Sequence, residues 1–119
     1  MEWGLILMSK AGVNISYTNE FMLGAMTNRG KIRESLYFSG VEQLEILLDM
    51  DLMIEEANLT EKQAQVVDLY YFNQYTQEEV SQRLGISQQA VLDHLKKVKN
   101  KIEKVLERWR GLDDKQQNN

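Results

Sequence analysis

The sequence predicts an all-α fold built around a helix-turn-helix. The chain of 119 residues contains no proline, so no position is barred from a helix by a missing amide hydrogen. Three helix starts follow one another at Thr60, Thr76 and Ser87, and the first two have capping-box spacing. Gly85 lies just before the third start, where the chain must turn sharply. Three capped helices with a tight glycine turn between the last two are the pattern of a helix-turn-helix.

Composition limits the class of protein. Hydrophobic residues make up 43% of the chain, which is typical of a globular domain rather than a disordered one. There is no cysteine, which excludes disulfides and thiolate sites and suits a reducing compartment. The apolar run at residues 3–8 has no basic flank and is too short for a signal peptide or a membrane span. We therefore expect a cytoplasmic protein without membrane contact.

The first part of the chain leaves two alternatives open. Residues 3–8 and 13–18 have the pattern of a short hairpin. Residues 18–26 equally fit a short helix that is capped by Thr18 or Asn19.

A turn is predicted at residues 28–30, and helical structure is predicted over residues 31–58. The capping-box spacing at Ser39 indicates that a new helix begins there, and Asn58 is expected to end it. Residues 41–54 carry more apolar side chains than one helix partner can cover. This helix is therefore predicted to be deeply buried or to pair with another chain.

The helix-turn-helix is predicted over residues 59–110. Its first helix follows Thr60 and breaks at residues 73–75. Its second helix places Val80 and Leu84 inward and ends at Gly85. The third helix, residues 88–109, has a heptad stripe of apolar side chains. The stripe consists of Val91, Leu95, Val98, Ile102, Val105 and Trp109.

A three-helix core covers only the start of this stripe. The rest is predicted to pack either on the 41–54 helix of the same chain or on a second protomer, and we favour a homodimer. The expected oligomerisation residues are Ile102, Val105, Trp109, Leu44 and Leu48. The predicted organisation is thus a packing and oligomerisation segment at 1–58, the helix-turn-helix at 59–110 and a disordered polar tail at 111–119.

Charge is distributed unevenly along the chain. The net charge of −4 opposes DNA binding, which depends on neutralising phosphates. Residues 1–59 carry four Lys or Arg against nine Asp or Glu, whereas residues 83–110 carry eight against three. Local charge decides where a nucleic acid can lie, so residues 83–110 are the predicted DNA-facing part.

Residues 59–102 resemble region 4 of the sigma-70 family. The resemblance is carried by Leu59-Thr60-Glu61-Lys62-Gln63, by Thr76-Gln77-Glu78-Glu79-Val80 and by Leu84-Gly85-Ile86-Ser87, with Val91, Leu95, Val98 and Ile102 in register. The resemblance implies that the third helix enters the major groove of double-stranded DNA and that the second helix touches its backbone.

The chain departs from that family in two respects. Gln88 and Leu92 stand where these factors often have Arg or Lys, which implies a different promoter preference. The residues before Leu59 are too few for the other regions of a complete sigma factor. We therefore expect a stand-alone regulator of phage or prophage origin.

Gln88, Gln89 and Leu92 are the predicted base-contacting residues. Gln can bond adenine N6 and N7 together, and Leu can touch a thymine methyl group. The predicted contacts to the DNA backbone are Thr76, Ser87, His94, Lys96, Lys97 and Arg83. The lysines at 96, 97, 99 and 101 alternatively form a solvated face.

No chemical function other than binding is predicted. The sequence shows no nucleophile and base pairing, no metal-ligand spacing around His94 and no glycine-rich phosphate loop. We expect no enzyme activity, cofactor or metal. The favoured function is a homodimeric, sequence-specific transcription regulator. The alternatives are a small terminase subunit that forms a ring, or a module that binds RNA polymerase or a sigma factor.

Overall fold

The computed structural model describes residues 18–32 and 41–118, and within them it is all-α with no strand. The predicted fold class is therefore confirmed. We number the helices in chain order, and the third continues directly into a π-helical turn over Asp68–Phe72. The helices are α1 Asn19–Thr27, α2 Val41–Ala57, α3 Glu61–Val67, α4 Gln77–Leu84 and α5 Gln88–Asn118.

Helix α1 settles one of the alternatives left open by the sequence. The Thr18 hydroxyl accepts the Phe21 N–H at 3.0 Å and caps the helix, so Thr18 rather than Asn19 is the cap. The predicted hairpin lies outside the described residues apart from Thr18.

The turn predicted at residues 28–30 is wrong for its last two residues. Arg29 and Gly30 are helical, because the Ile32 N–H still bonds to the Asn28 carbonyl at 3.0 Å.

Helix α2 ends as predicted. Asn58 has a φ of 54°, in the left-handed region that stops a helix. The helix start predicted at Ser39 lies outside the described residues. Along α2 one face is buried, whereas Leu44 and Leu48 are 44% and 56% exposed.

The first helix of the predicted helix-turn-helix ends in a π-turn that the sequence did not indicate. The Asn73 N–H bonds to the Asp68 carbonyl at 3.0 Å, five residues back. The wider turn directs Tyr71 inward, where it is 7% exposed and meets the Tyr70 ring edge to face at 5.0 Å.

One apolar core runs through all five helices, across the predicted domain boundary at residue 58. Helix α5 packs against α2, α3 and α4, and α1 packs against the π-helical turn, so both contacts join the two predicted parts. The largest fully buried side chains include four methionines: Met22, Met26, Met50 and Met53.

The predicted oligomerisation stripe on α5 is internal. Ile102 and Val105 are fully buried and Trp109 is 5% exposed within the single chain. The Trp109 Nε1–H donates to Glu56 Oε1 at 2.9 Å, which fixes this end of α5 to α2. The prediction that these three residues pair with a second protomer is therefore wrong, because the chain's own α2 covers them.

Helix α5 also continues beyond its predicted end at Trp109. Its backbone is helical through Asn118, so the prediction of a disordered tail at 111–119 is wrong up to that residue. Gly111 does not adopt a positive φ, and the segment has no proline to break the helix. A single glycine inside a helix costs only about 1 kcal/mol, which a long helix tolerates.

Candidate nucleic-acid interface

The turn between α4 and α5 is built as the sequence predicts. Gly85 has φ 68° and ψ 33°, and its N–H donates to the Ser81 carbonyl. The following N–H, of Ile86, also donates to that carbonyl at 3.1 Å. These two bonds close the end of α4 and turn the chain directly into the next helix.

Both helices of this unit have capped starts. The Thr76 hydroxyl accepts the Glu79 N–H at 3.1 Å, and the Glu79 carboxylate accepts the Thr76 N–H at 2.9 Å. The Ser87 hydroxyl accepts the Ala90 N–H at 3.0 Å. Each hydroxyl uses its oxygen for capping and keeps its O–H as a donor, so Thr76 and Ser87 can still bond to a phosphate.

The exposed start of α5 holds all three predicted base-contacting residues. Gln88 and Gln89 are exposed, and Leu92 is half-buried. Val91 and Leu95 are buried in the core, so Gln89 lies on the outward face of α5, and Gln88 and Leu92 lie beside the buried stripe. All three residues lie in the first turn and a half of α5, and their contact with bases stays a prediction.

Asp93 is a member of this surface that the sequence analysis missed. It is exposed, and its Oδ1 accepts the Gln89 Nε2–H at 3.1 Å. The signal was the four-residue spacing between Gln and Asp, which places the two side chains side by side on a helix.

Three of the four clustered lysines stay exposed. Among the described residues, Lys96, Lys97 and Lys99 have no hydrogen-bond or ion-pair partner. Lys101 differs, because its Nζ donates to Gln63 Oε1 at 2.7 Å and to the Asn58 carbonyl at 3.3 Å. Lys101 thus holds the end of α2 against α3, and these contacts use two of its three N–H donors.

Arg83 and His94 have more restricted surroundings. The Arg83 guanidinium lies 4.0 Å from the centre of the Tyr75 ring, a cation–π contact that holds it at the surface near the turn. His94 is half-buried, and its Nδ1 is buried with no hydrogen-bond partner among the described residues. Any phosphate contact by His94 must therefore use its other ring nitrogen.

The described residues contain no group of three side chains suited to holding a metal. None of the described helices is both long enough and apolar enough to cross a membrane.

Comparison with known families agrees with this geometry. Residues 57–104 match the family described as Sigma-70, region 4. Over this stretch the chain is similar to sigma-70 region 4. The match covers the helix-turn-helix and its preceding helix, and it confirms the resemblance read from the sequence.

Several relatives that are named UPF0122 proteins are similar to part of this chain. One from Thermoanaerobacter sp. is 43% identical over 47 residues, which is 40% of this chain and 40% of that protein. One from Streptococcus equi subsp. zooepidemicus is 40% identical over 53 residues, or 44% of this chain and 43% of that protein. The shared part thus spans less than half of these relatives. No solved structure was found to match the chain.

Proposed function

We propose that this chain is a sequence-specific DNA-binding regulator of transcription. The observation that carries the proposal is the surface at the start of α5, where Gln88, Gln89 and Leu92 follow the Gly85 turn. Amide and apolar side chains at this position can distinguish base pairs in the major groove. The region 4 match supports the same docking of α5.

The lysines beside this surface supply the affinity. Lys96 and Lys97 lie about two turns after Gln89, where a helix that enters the groove by its first turn meets the phosphates. Thr76 and Arg83 at α4 and Ser87 at the start of α5 are further contacts to the DNA backbone in this proposal. This arrangement explains how a chain with a net charge of −4 binds a polyanion.

A salt titration tests DNA binding itself. We expect affinity for a random-sequence duplex to fall steeply between about 50 and 200 mM salt, because bound lysines release counterions. Replacing Lys97 by Ala should reduce the slope. The matched control Lys104→Ala removes the same charge further along the exposed side of α5 and should leave the slope nearly unchanged. An affinity that does not change with salt would contradict the proposal.

A second candidate function is binding to RNA polymerase, and the α2 surface favours it. Leu44 and Leu48 are one turn apart and exposed, Asp51 and Glu55 are exposed on the same helix, and α2 contains no basic residue. Two copies of α2 placed face to face would bring like charges together, which disfavours a homodimer at this surface. A partner with basic side chains around an apolar patch fits better.

Two measurements test the partners. Sedimentation of the purified chain should give the mass of a monomer. The mass of a dimer would support self-association through Leu44 and Leu48. The mass of a large ring would favour the terminase alternative. Replacing Leu44 and Leu48 by Ser should abolish capture of purified bacterial RNA polymerase while DNA binding is retained. If the variant captures the polymerase as well as the wild type does, this surface does not bind the polymerase. Function on DNA also implies a cytoplasmic location in a bacterium or in a phage-infected cell.

A further inference from the structure

Asp93 places a carboxylate on the surface that the proposed function assigns to DNA. Val91 is buried, and Gln89 and Asp93 lie two residues on either side of it. At 3.6 residues per turn, each of them points about 160° away from Val91. The two side chains therefore share the outward face of α5, and the Gln89 Nε2–H to Asp93 Oδ1 bond of 3.1 Å joins them there.

This hydrogen bond determines which end of the Gln89 amide faces Asp93. A carboxylate only accepts hydrogen bonds, so the NH₂ end turns towards Asp93 and the reversed amide would place oxygen against oxygen. One N–H is used in this bond. The second N–H and Oε1 remain for the DNA, and one donor beside one acceptor is the set that matches adenine N7 and N6–H.

The same carboxylate opposes binding to any DNA, because it brings a negative charge towards the phosphates. A residue that only stabilises the helix through a Gln–Asp pair would affect folding and leave base preference unchanged. A residue that orients Gln89 would change base preference and general affinity in opposite directions. These two effects can be measured separately.

We propose that Asp93 is a positioning residue for base recognition, which orients the Gln89 amide towards adenine while it weakens binding to all sequences. The inference rests on the proposed function. It adds that this surface prefers adenine at one position of the DNA site, because the Asp93 carboxylate fixes the orientation of the Gln89 amide.

The experiment compares four single variants on DNA. The probes are the duplex recovered from a random pool by the wild-type chain, its single-base variants and a scrambled duplex. The variants are Gln89→Ala, Asp93→Ala, Asp93→Asn and Glu103→Ala. Glu103 is exposed on α5 about three turns beyond Asp93, so it controls for the loss of one negative charge. Thermal unfolding shows that each variant is folded.

We expect the wild type to prefer adenine at one position by about tenfold or more. Asp93→Ala should lower that preference to the level of Gln89→Ala and should bind the scrambled duplex more tightly than the wild type. Asp93→Asn should keep the preference, because its side-chain oxygen still accepts the Gln89 N–H. Glu103→Ala should keep the preference in full.

Two results would overturn the inference while leaving the proposed function intact. One is an Asp93→Ala variant with the full wild-type preference. The other is a change of preference at a different position from that of Gln89→Ala, which would mean that Asp93 reads its own base. A wild-type chain that binds all duplexes equally would instead refute the sequence-specific function, and the inference with it.

Discussion

Ile102 lies on α5 between the two places where side chains bond to the end of α2. Lys101 Nζ reaches the Asn58 carbonyl, and Trp109 Nε1 reaches Glu56 Oε1. Ile102 itself has no exposed surface. Replacing it by Ala removes apolar contacts and leaves a cavity, which costs about 2–5 kcal/mol at a fully buried site.

That cost converts to a change in melting temperature. The entropy of unfolding of globular proteins is about 2.1 cal/mol/K per residue. In a chain of 119 residues, a destabilisation of about 1 kcal/mol therefore lowers the melting temperature by about 4 °C. Ile102→Ala should therefore lower the melting temperature by about 8–20 °C. Helix content by circular dichroism and tryptophan fluorescence should report the same transition, because one core joins both parts of the described chain.

Leu48→Ala is the matched control, because Leu48 is a similar aliphatic residue that is 56% exposed. It should change stability by no more than about 0.5 kcal/mol. The loss at Ile102 should also be independent of protein concentration. Two results would show that a second copy covers the α5 stripe and that the monomeric core is wrong. One is a loss of stability in Ile102→Ala that disappears when the protein is diluted. The other is a larger loss of stability in Leu48→Ala than in Ile102→Ala.

Three further substitutions test separate parts of the structure. Gly85→Ala should cost about 1–2 kcal/mol in urea unfolding, since φ is 68° and the added carbon meets no atom within 4 Å; no loss would contradict the left-handed turn. Burial raises the pKa of Tyr71 from 10.0 to about 12, with a smaller contribution from Tyr70. The unfolded chain therefore loses the Tyr71 proton at a lower pH than the folded chain. Between pH 10 and 12 the stability of the wild type should fall by about 2 kcal/mol more than that of Tyr71→Phe; parallel profiles would contradict the burial. Lys101→Met should lower the stability by about 1–2 kcal/mol and should leave the salt dependence of DNA binding unchanged. A smaller salt dependence would show that Lys101 contacts the DNA.

The turn and the helix starts could be predicted because their causes are local. Thr76 and Ser87 each cap a helix by accepting an N–H three residues ahead, and Gly85 provides a conformation that other residues avoid. Such bonds depend on residues adjacent in the chain. The exposed position of Gln88 and Gln89 then follows from the helical period once the start of α5 is known.

The errors concern contacts between distant residues. The heptad pattern indicates that Ile102 must pack against another helix. It does not indicate whether that helix is α2 of the same chain or belongs to a second copy. Lys101 has the sequence context of a phosphate-binding lysine, yet Asn58 and Gln63 lie within its reach. The π-turn carries Tyr71 into the core, and no local signal in the sequence marks it.

The most direct test of the account compares Gln89→Ala with Lys97→Ala on the preferred and the scrambled duplex. Both residues are exposed on α5, so both variants should fold normally. Gln89→Ala should lose about 1–3 kcal/mol on the preferred duplex and little on the scrambled one. Lys97→Ala should weaken both duplexes equally and lower the salt slope by about one. If Lys97→Ala changes the base preference while Gln89→Ala leaves it intact, the start of α5 does not read the bases and the proposed docking is wrong.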